Sequence, residues 1–169
     1  MTPEREARLM EVFRRRQTDL TLITDKVHKT RNISALVRNC DAVGISDLHY
    51  VAPKEGYRTY RGTAMGSERW VEQHHHVTTE AAIEQVKAQG MKVYAAHLSA
   101  SAVEFHEVDY TQPCAILMGA EKAGVSESGA RLADQHIIIP MLVQALVSRG
   151  VALEAAQPKK CPRNRFKVS

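Results

Sequence analysis

From Leu20 onward the chain alternates short apolar runs with segments of helical periodicity, an order that few folds accept. Strand-like runs fall at 20–24, 48–52, 92–97, 114–118 and 136–139, and helix-like segments at 33–43, 79–89 and about 126–133. A strand followed by a helix that packs back on the sheet is the unit of an α/β fold. Ala115-Ile116-Leu117-Met118 and Ile137-Ile138-Ile139 are apolar at every position rather than at alternate ones, as strands are when both sheet faces are covered. The expected architecture is therefore a parallel central sheet with flanking helices. Gly44 and Gly90 each follow a helical segment, where a left-handed residue ends a helix, and they support those boundaries. Residues 53–67 have neither period and read as a long surface loop, with Pro53, Gly56, Gly62 and Gly66 set among Tyr57, Arg58, Tyr60 and Arg61.

Ahead of this domain, Thr2-Pro3-Glu4 is a good helix start: a hydroxyl to cap free amides, then proline at the first helical position. The helix is expected to run to about Gln17, with Leu9, Val12 and Phe13 on its apolar side. Arg5, Arg8, Arg14, Arg15 and Arg16 crowd this segment, and they suit either a solvated face or a surface that meets RNA phosphates. Their location matters more than the net charge of +4, because residues 158–169 carry five cations and no acid, and without them the charge is −1. At 169 residues one domain is expected, and no apolar run approaches the length of a membrane span. Met1 is followed by Thr2, Pro3 and acidic residues, so no secretory signal is legible and the cytoplasm is the expected compartment. Cys40, Cys114 and Cys161 are scattered and odd in number, which reads as reduced thiols.

Three segments could carry chemistry. The first runs from Asn32 through Arg38 to Gly44, after the loop Val27-His28-Lys29-Thr30-Arg31. On a helix Ser34 and Arg38 share a face, and Leu36 and Val43 are expected on the buried side. The second is an apolar strand breaking into Gly119-Ala120-Glu121-Lys122-Ala123-Gly124, a glycine-bearing turn that holds a carboxylate. The third is Ile139-Pro140-Met141, another abrupt strand end. Strand ends of α/β sheets host ligands. His74-His75-His76 suggests a metal only at first sight: adjacent strand residues face opposite ways, so no metal site is expected there. Trp70 reads as a core or loop anchor, or as a platform on which a base stacks.

Taken in order, the three segments resemble the SpoU branch of the SPOUT superfamily of S-adenosylmethionine-dependent RNA methyltransferases. Asn32, Arg38 and Gly44 look like its first motif, Gly119, Glu121 and Gly124 its second, and Ile139-Pro140-Met141 the opening of its third. The basic first helix, Asp19-Leu20-Thr21, Val27-His28-Lys29 and Ala95-Ala96-His97-Leu98-Ser99 are similar to the members that methylate the D-loop guanosine at position 18 of tRNA. The resemblance implies a knotted α/β fold, a homodimer, and methyl transfer to a ribose 2′-hydroxyl. It implies catalytic roles for Arg38, Asn32 and Glu121, and S-adenosylmethionine lined by Leu98, Gly119, Ala120, Ile139 and Met141. It also implies tRNA contacts from Arg5, Arg8, Arg14, Arg15, Arg16, His28, Lys29 and Arg31. Arg38 is either the base that takes the 2′-hydroxyl proton or the bidentate holder of the neighbouring phosphate.

These readings divide the chain into a basic N-terminal helix at 1–18, a methyltransferase domain at 19–141 and a divergent, partly disordered basic tail at 142–169. The tail lacks the family's serine and asparagine after Met141, and the knot in this chain rests on it. Two functions stay open at this point: an active tRNA ribose 2′-O-methyltransferase, or a truncated or frame-shifted relative that keeps RNA binding only.

Overall fold

The computed structural model describes residues 1–27, 29–52 and 61–140. It divides into a unit from Met1 to Ile138 and a second from Ile139 to Ser169; the elements below belong to the first. Among the described residues seven strands, β1 (Leu20–Asp25), β2 (Asp47–Val51), β3 (Glu72–His76), β4 (Lys92–Ala96), β5 (Val103–Glu104), β6 (Cys114–Gly119) and β7 (Gln135–Ile138), form one sheet. Their spatial order is β3-β2-β1-β6-β4-β7-β5, and every pairing is parallel. Among the described residues five α-helices accompany them: α1 (Pro3–Arg14), α2 (Thr30–Val43), α3 (Arg61–Ala64), α4 (Thr79–Ala88) and α5 (Glu127–Leu132). No helix among the described residues is long and apolar enough to cross a membrane.

The central strands are apolar throughout because each face has its own cover. Ile23, Val51, Val93 and Leu117 pack with Ile83 and Val86 of α4. Leu22, Leu48 and Tyr50 pack with Ile33, Val37 and Cys40 of α2 on the other side. Alternate residues of one strand therefore enter different clusters, which removes the period of two from the sequence. Gly44 closes α2 at φ +88°, and a Cβ there would also lie 2.9 Å from the Arg15 carbonyl oxygen. Conformation and space both require glycine at this position.

Several elements differ from expectation. Thr2 caps α1 by accepting from the Arg5 amide at 3.4 Å, but the helix stops at Arg14, because the Gln17 amide turns to the Gly44 carbonyl at 2.9 Å. The start of α2 lies at Thr30, not 33, and Val43 is 61% exposed. The buried stripe is Ile33, Val37 and Cys40, and at about 100° per residue Val43 lies well off its centre. Ser34 is buried with its hydroxyl on the Thr30 carbonyl at 2.8 Å, whereas Arg38 one turn on is exposed. Residues 61–67 of the expected loop are not irregular: they form α3, a turn and the start of a 3₁₀ turn at Ser67–Arg69. Residues 53–60 of the expected loop lie outside the described residues. Strand β3 was not legible as an apolar run because, as an edge strand, Glu72-Gln73-His74-His75-His76 has one strand neighbour and no need of apolar residues at every position.

Candidate active site

The order of building reverses beside β1. The chain lays down β1, β2 and β3 in one direction, then crosses to β4, which lies beyond β6 on the other side. Crevices at such reversals, outside the carboxyl ends of the strands, are where parallel α/β sheets bind ligands. The loop after β1 ends at Lys29, the residue that precedes α2, and α2 carries Arg31, Asn32 and Arg38. After β6 comes the Gly119–Gly124 turn, and after β4 the segment His97–Ala102.

Two of these loops meet directly. Lys29 Nζ lies 3.1 Å from Glu121 Oε2, joining residues 92 apart in sequence. Both side chains are 70% exposed, so the pair itself contributes little to stability. Its value is positional, since it sets the second-motif carboxylate beside the amino-terminal turn of α2. Asn32 sits in that same turn, its amide donating to the Lys29 carbonyl at 2.9 Å. Among the described residues no hydrogen bond or ion pair joins Arg38 to Asn32 or Glu121.

The turn after β6 is made by its glycines. Ala120 and Gly124 exchange backbone hydrogen bonds of 3.0 and 2.7 Å. That closure brings Gly124 so near that a Cβ on Gly119 would lie 2.0 Å from the Gly124 carbonyl carbon. Gly124 itself takes φ +69°. Beneath the turn Asp25, fully buried at the end of β1, accepts from the Thr79 hydroxyl and the Ser126 amide, each at 2.6 Å. It thus ties the starts of α4 and α5 to the end of β1. Sequence reading passed over Asp25, although an acid closing an apolar strand is a signal that buried donors wait for it.

The segment after β4 is held by β7. Ser99 donates to His136 Nδ1 at 2.7 Å, because the other ring nitrogen donates to the Ala130 carbonyl at 2.8 Å. Gln135 Nε2 donates to the Ser101 carbonyl at 2.9 Å. Leu98 is left 74% exposed on this anchored segment. Its strand β4 is paired with β6, so Leu98 follows a strand adjacent to the one that leads into Gly119 and Ala120. Ile139 follows β7 and opens the second unit; Met141 and His28 lie outside the described residues.

The arginines of α1 and of the two residues after it divide into two groups. Arg5, Arg8 and Arg14 are exposed, and Arg15 pairs with Glu11 at the surface. Arg5 and Arg8 line a groove of about 530 Å³ with Leu9, Val12, Asp41 and the half-exposed Trp70. Arg16 is different. Its side chain is only 8% exposed, with the guanidinium 3.0 Å from Asp41 and donating to the Trp70 carbonyl at 2.7 Å. It fastens the end of α1 to the domain instead of facing solvent. Arg31 is exposed in the first turn of α2.

The three adjacent histidines separate as strand geometry requires. His75 bonds the Ala52 carbonyl at 2.9 Å, its ring near Tyr50, while His74 and His76 both stack on His49. Asp47, Glu72 and His74 bring one ligand atom each to within 4.8 Å of one another, a grouping not visible in the sequence because it crosses two strands. Cys40 and Cys114 are buried free thiols, and burial pushes the Cys40 thiol up to about 11.

A doubly covered parallel sheet, reversing at β1 and β6 with motif-bearing loops gathered at its strand ends, defines an α/β protein of the kind that binds its ligand at the switch point. Residues 19–147 match the SpoU rRNA Methylase family, and the chain belongs to that family. It is 46% identical over 165 residues to the tRNA (guanosine(18)-2'-O)-methyltransferase of Escherichia coli, covering 95% of this chain and 72% of that one. The enzyme of the same name from Thermus thermophilus is 46% identical over 164 residues, covering 94% and 84%. Among solved structures, the Aquifex aeolicus TrmH/SpoU tRNA modifying enzyme superposes with a TM-score of 0.74 at 38% identity, covering 82% of this chain and 71% of that one. The family match continues past Met141, where the sequence motifs cease to be legible.

Proposed function

We infer that this protein transfers a methyl group from S-adenosylmethionine to the ribose 2′-hydroxyl of the D-loop guanosine at position 18 of tRNA. The observation that carries the reading is the meeting of Lys29 and Glu121, which sets two motif loops side by side at the switch point. Relatives of 46% identity that bear this activity in their names support the substrate.

A ribose hydroxyl is a poor nucleophile, so a group must take or offset its proton while it is held in line with the methyl donor. Arg38 is the residue for that task, either as the base or as a bidentate clamp on the adjoining phosphate. Asn32 stands near the reaction centre and cofactor in this reading, and Glu121, beside the same turn of α2, orients Asn32, Arg38 or the substrate. The residues present fit the cofactor: exposed Leu98 offers an apolar surface for an adenine, on the segment after β4, the neighbour of the strand that leads into Gly119 and Ala120. The family resemblance also assigns Ile139 and Met141 to the cofactor. S-adenosylmethionine, when bound, supplies a methyl group on a sulfonium, and the transfer needs no metal.

Arg5, Arg8, Arg14 and Arg15, with His28, Lys29 and Arg31, are the proposed phosphate contacts, and Arg16 leaves that set because its guanidinium is engaged within the fold. Residues 1–18 serve as an RNA-binding arm, 19–141 as the catalytic domain and 142–169 as the tail, in a cytoplasmic homodimer. The deciding experiment offers the full chain labelled S-adenosylmethionine with a tRNA transcript and with the same transcript carrying a 2′-deoxyguanosine at position 18. Methylation of the first alone is expected. Equal labelling of both would overturn the assigned nucleotide, and tRNA binding without cofactor uptake or labelling would establish the RNA-binding-only reading.

A further inference from the structure

Away from the strand-end site, one face of the two outermost strands collects ionisable groups. Parallel register sets Asp47 opposite Glu72 and His49 opposite His74, and residues two apart on a strand share a face. Asp47, His49, Glu72, His74 and His76 therefore lie together. His49 and His76 are buried and bonded to each other at 2.9 Å. Burial, reinforced by the neighbouring imidazoles, lowers both rings below the usual histidine range, His49 to about 4. The three remaining groups are less buried and stand at or near the amino-terminal ends of β2 and β3, opposite the switch point.

We propose that Asp47, Glu72 and His74 form a binding site for a borderline divalent cation of the zinc class. One ligand atom from each already lies within 4.8 Å of the others. Ligand atoms about 2.0–2.2 Å from a zinc ion lie closer together than that, and rotation of the exposed Glu72 side chain closes the gap. An imidazole nitrogen with two carboxylate oxygens suits zinc, cobalt or nickel better than the all-oxygen preference of magnesium or calcium.

Two of the three ligands, Asp47 and His74, are held in place by neighbours. Ser46 Oγ donates to Asp47 Oδ2 at 2.5 Å, leaving Oδ1 turned toward His74 Nε2 at 2.8 Å. The His74 ring lies on His49 with centroids 4.6 Å apart and planes 21° apart, and His49 is itself fixed by His76. Such outer contacts orient metal ligands. A cation takes the place of the proton shared between His74 and Asp47 and recruits Glu72. Three protein ligands leave a coordination position for water, and the ion staples the edge strand β3 to β2.

The test uses the full chain stripped with a chelator, then titrated with Zn²⁺ in competition with a chromophoric chelator and with Co²⁺ by absorption. One equivalent is expected, with a Co²⁺ spectrum free of thiolate charge transfer. E72Q and H74N each weaken it at least about tenfold, and S46A, which removes an outer contact, by about tenfold. H75N leaves it unchanged, since that ring faces the other way. Because Glu72 is exposed, E72Q keeps the fold even if H74N does not. Uptake indifferent to E72Q and to a folded H74N, a thiolate band, or no uptake at millimolar metal would each overturn the proposal.

Discussion

At the scale of single residues, exposure and contact separate chemistry from architecture. Arg38 is exposed, so Arg38→Ala is expected to leave the melting temperature and cofactor affinity unchanged while lowering methyl transfer by about 10²-fold or more. Arg38→Lys keeps the charge without the planar fork and is expected to recover little activity; a fully active lysine variant would refute both roles. Gly119 is architectural. A Cβ there would sit 2.0 Å from Gly124, so Gly119→Ala must open the turn, at a cost of about 3 kcal/mol in urea unfolding. A stable alanine variant with Glu121 still beside Lys29 would contradict the turn geometry.

Among the elements, α1 combines two functions that its run of arginines conceals. Changing Arg5, Arg8 and Arg14 to glutamine is expected to flatten the dependence of log tRNA affinity on log salt by about 0.7–0.9 per lost phosphate contact. An unchanged slope would return α1 to a merely solvated face. Arg16→Gln acts differently: it strands Asp41 and the Trp70 carbonyl and costs about 2 kcal/mol. Its signature is faster proteolysis within α1, with the salt slope preserved. The helix has no buried residue of its own, so that anchor and the turn at Gln17 do much to hold it. The run of arginines was plain in the sequence, but which one turns inward was not, because its partners lie 25 and 54 positions away.

For the whole molecule, the two covered faces of the sheet govern access to its interior. Cys40 and Cys114 lie within it, their thiols raised above the ordinary range by burial. In a thiol titration of the native protein both are expected to react only as fast as the domain opens, and to become fully reactive in denaturant. Rapid native-state labelling of Cys40 would show that α2 does not stay packed on the sheet. The sequence by itself determined what depends on near neighbours: the α/β rhythm, the caps at Thr2 and Gly44, the apolar central strands and the glycine turn after β6. Each of these follows from backbone preference or from apolar period within a few residues, and such preferences act before distant segments meet. Only the tertiary structure decided that β3 pairs at the edge, that Asp25 joins the starts of α4 and α5, and that Lys29 reaches Glu121. It also brought Asp47 to Glu72 and His74 across two strands. These contacts join polar side chains far apart in the chain, and polar groups leave no periodic trace from which their partners can be read; the order in which parallel strands assemble selects them.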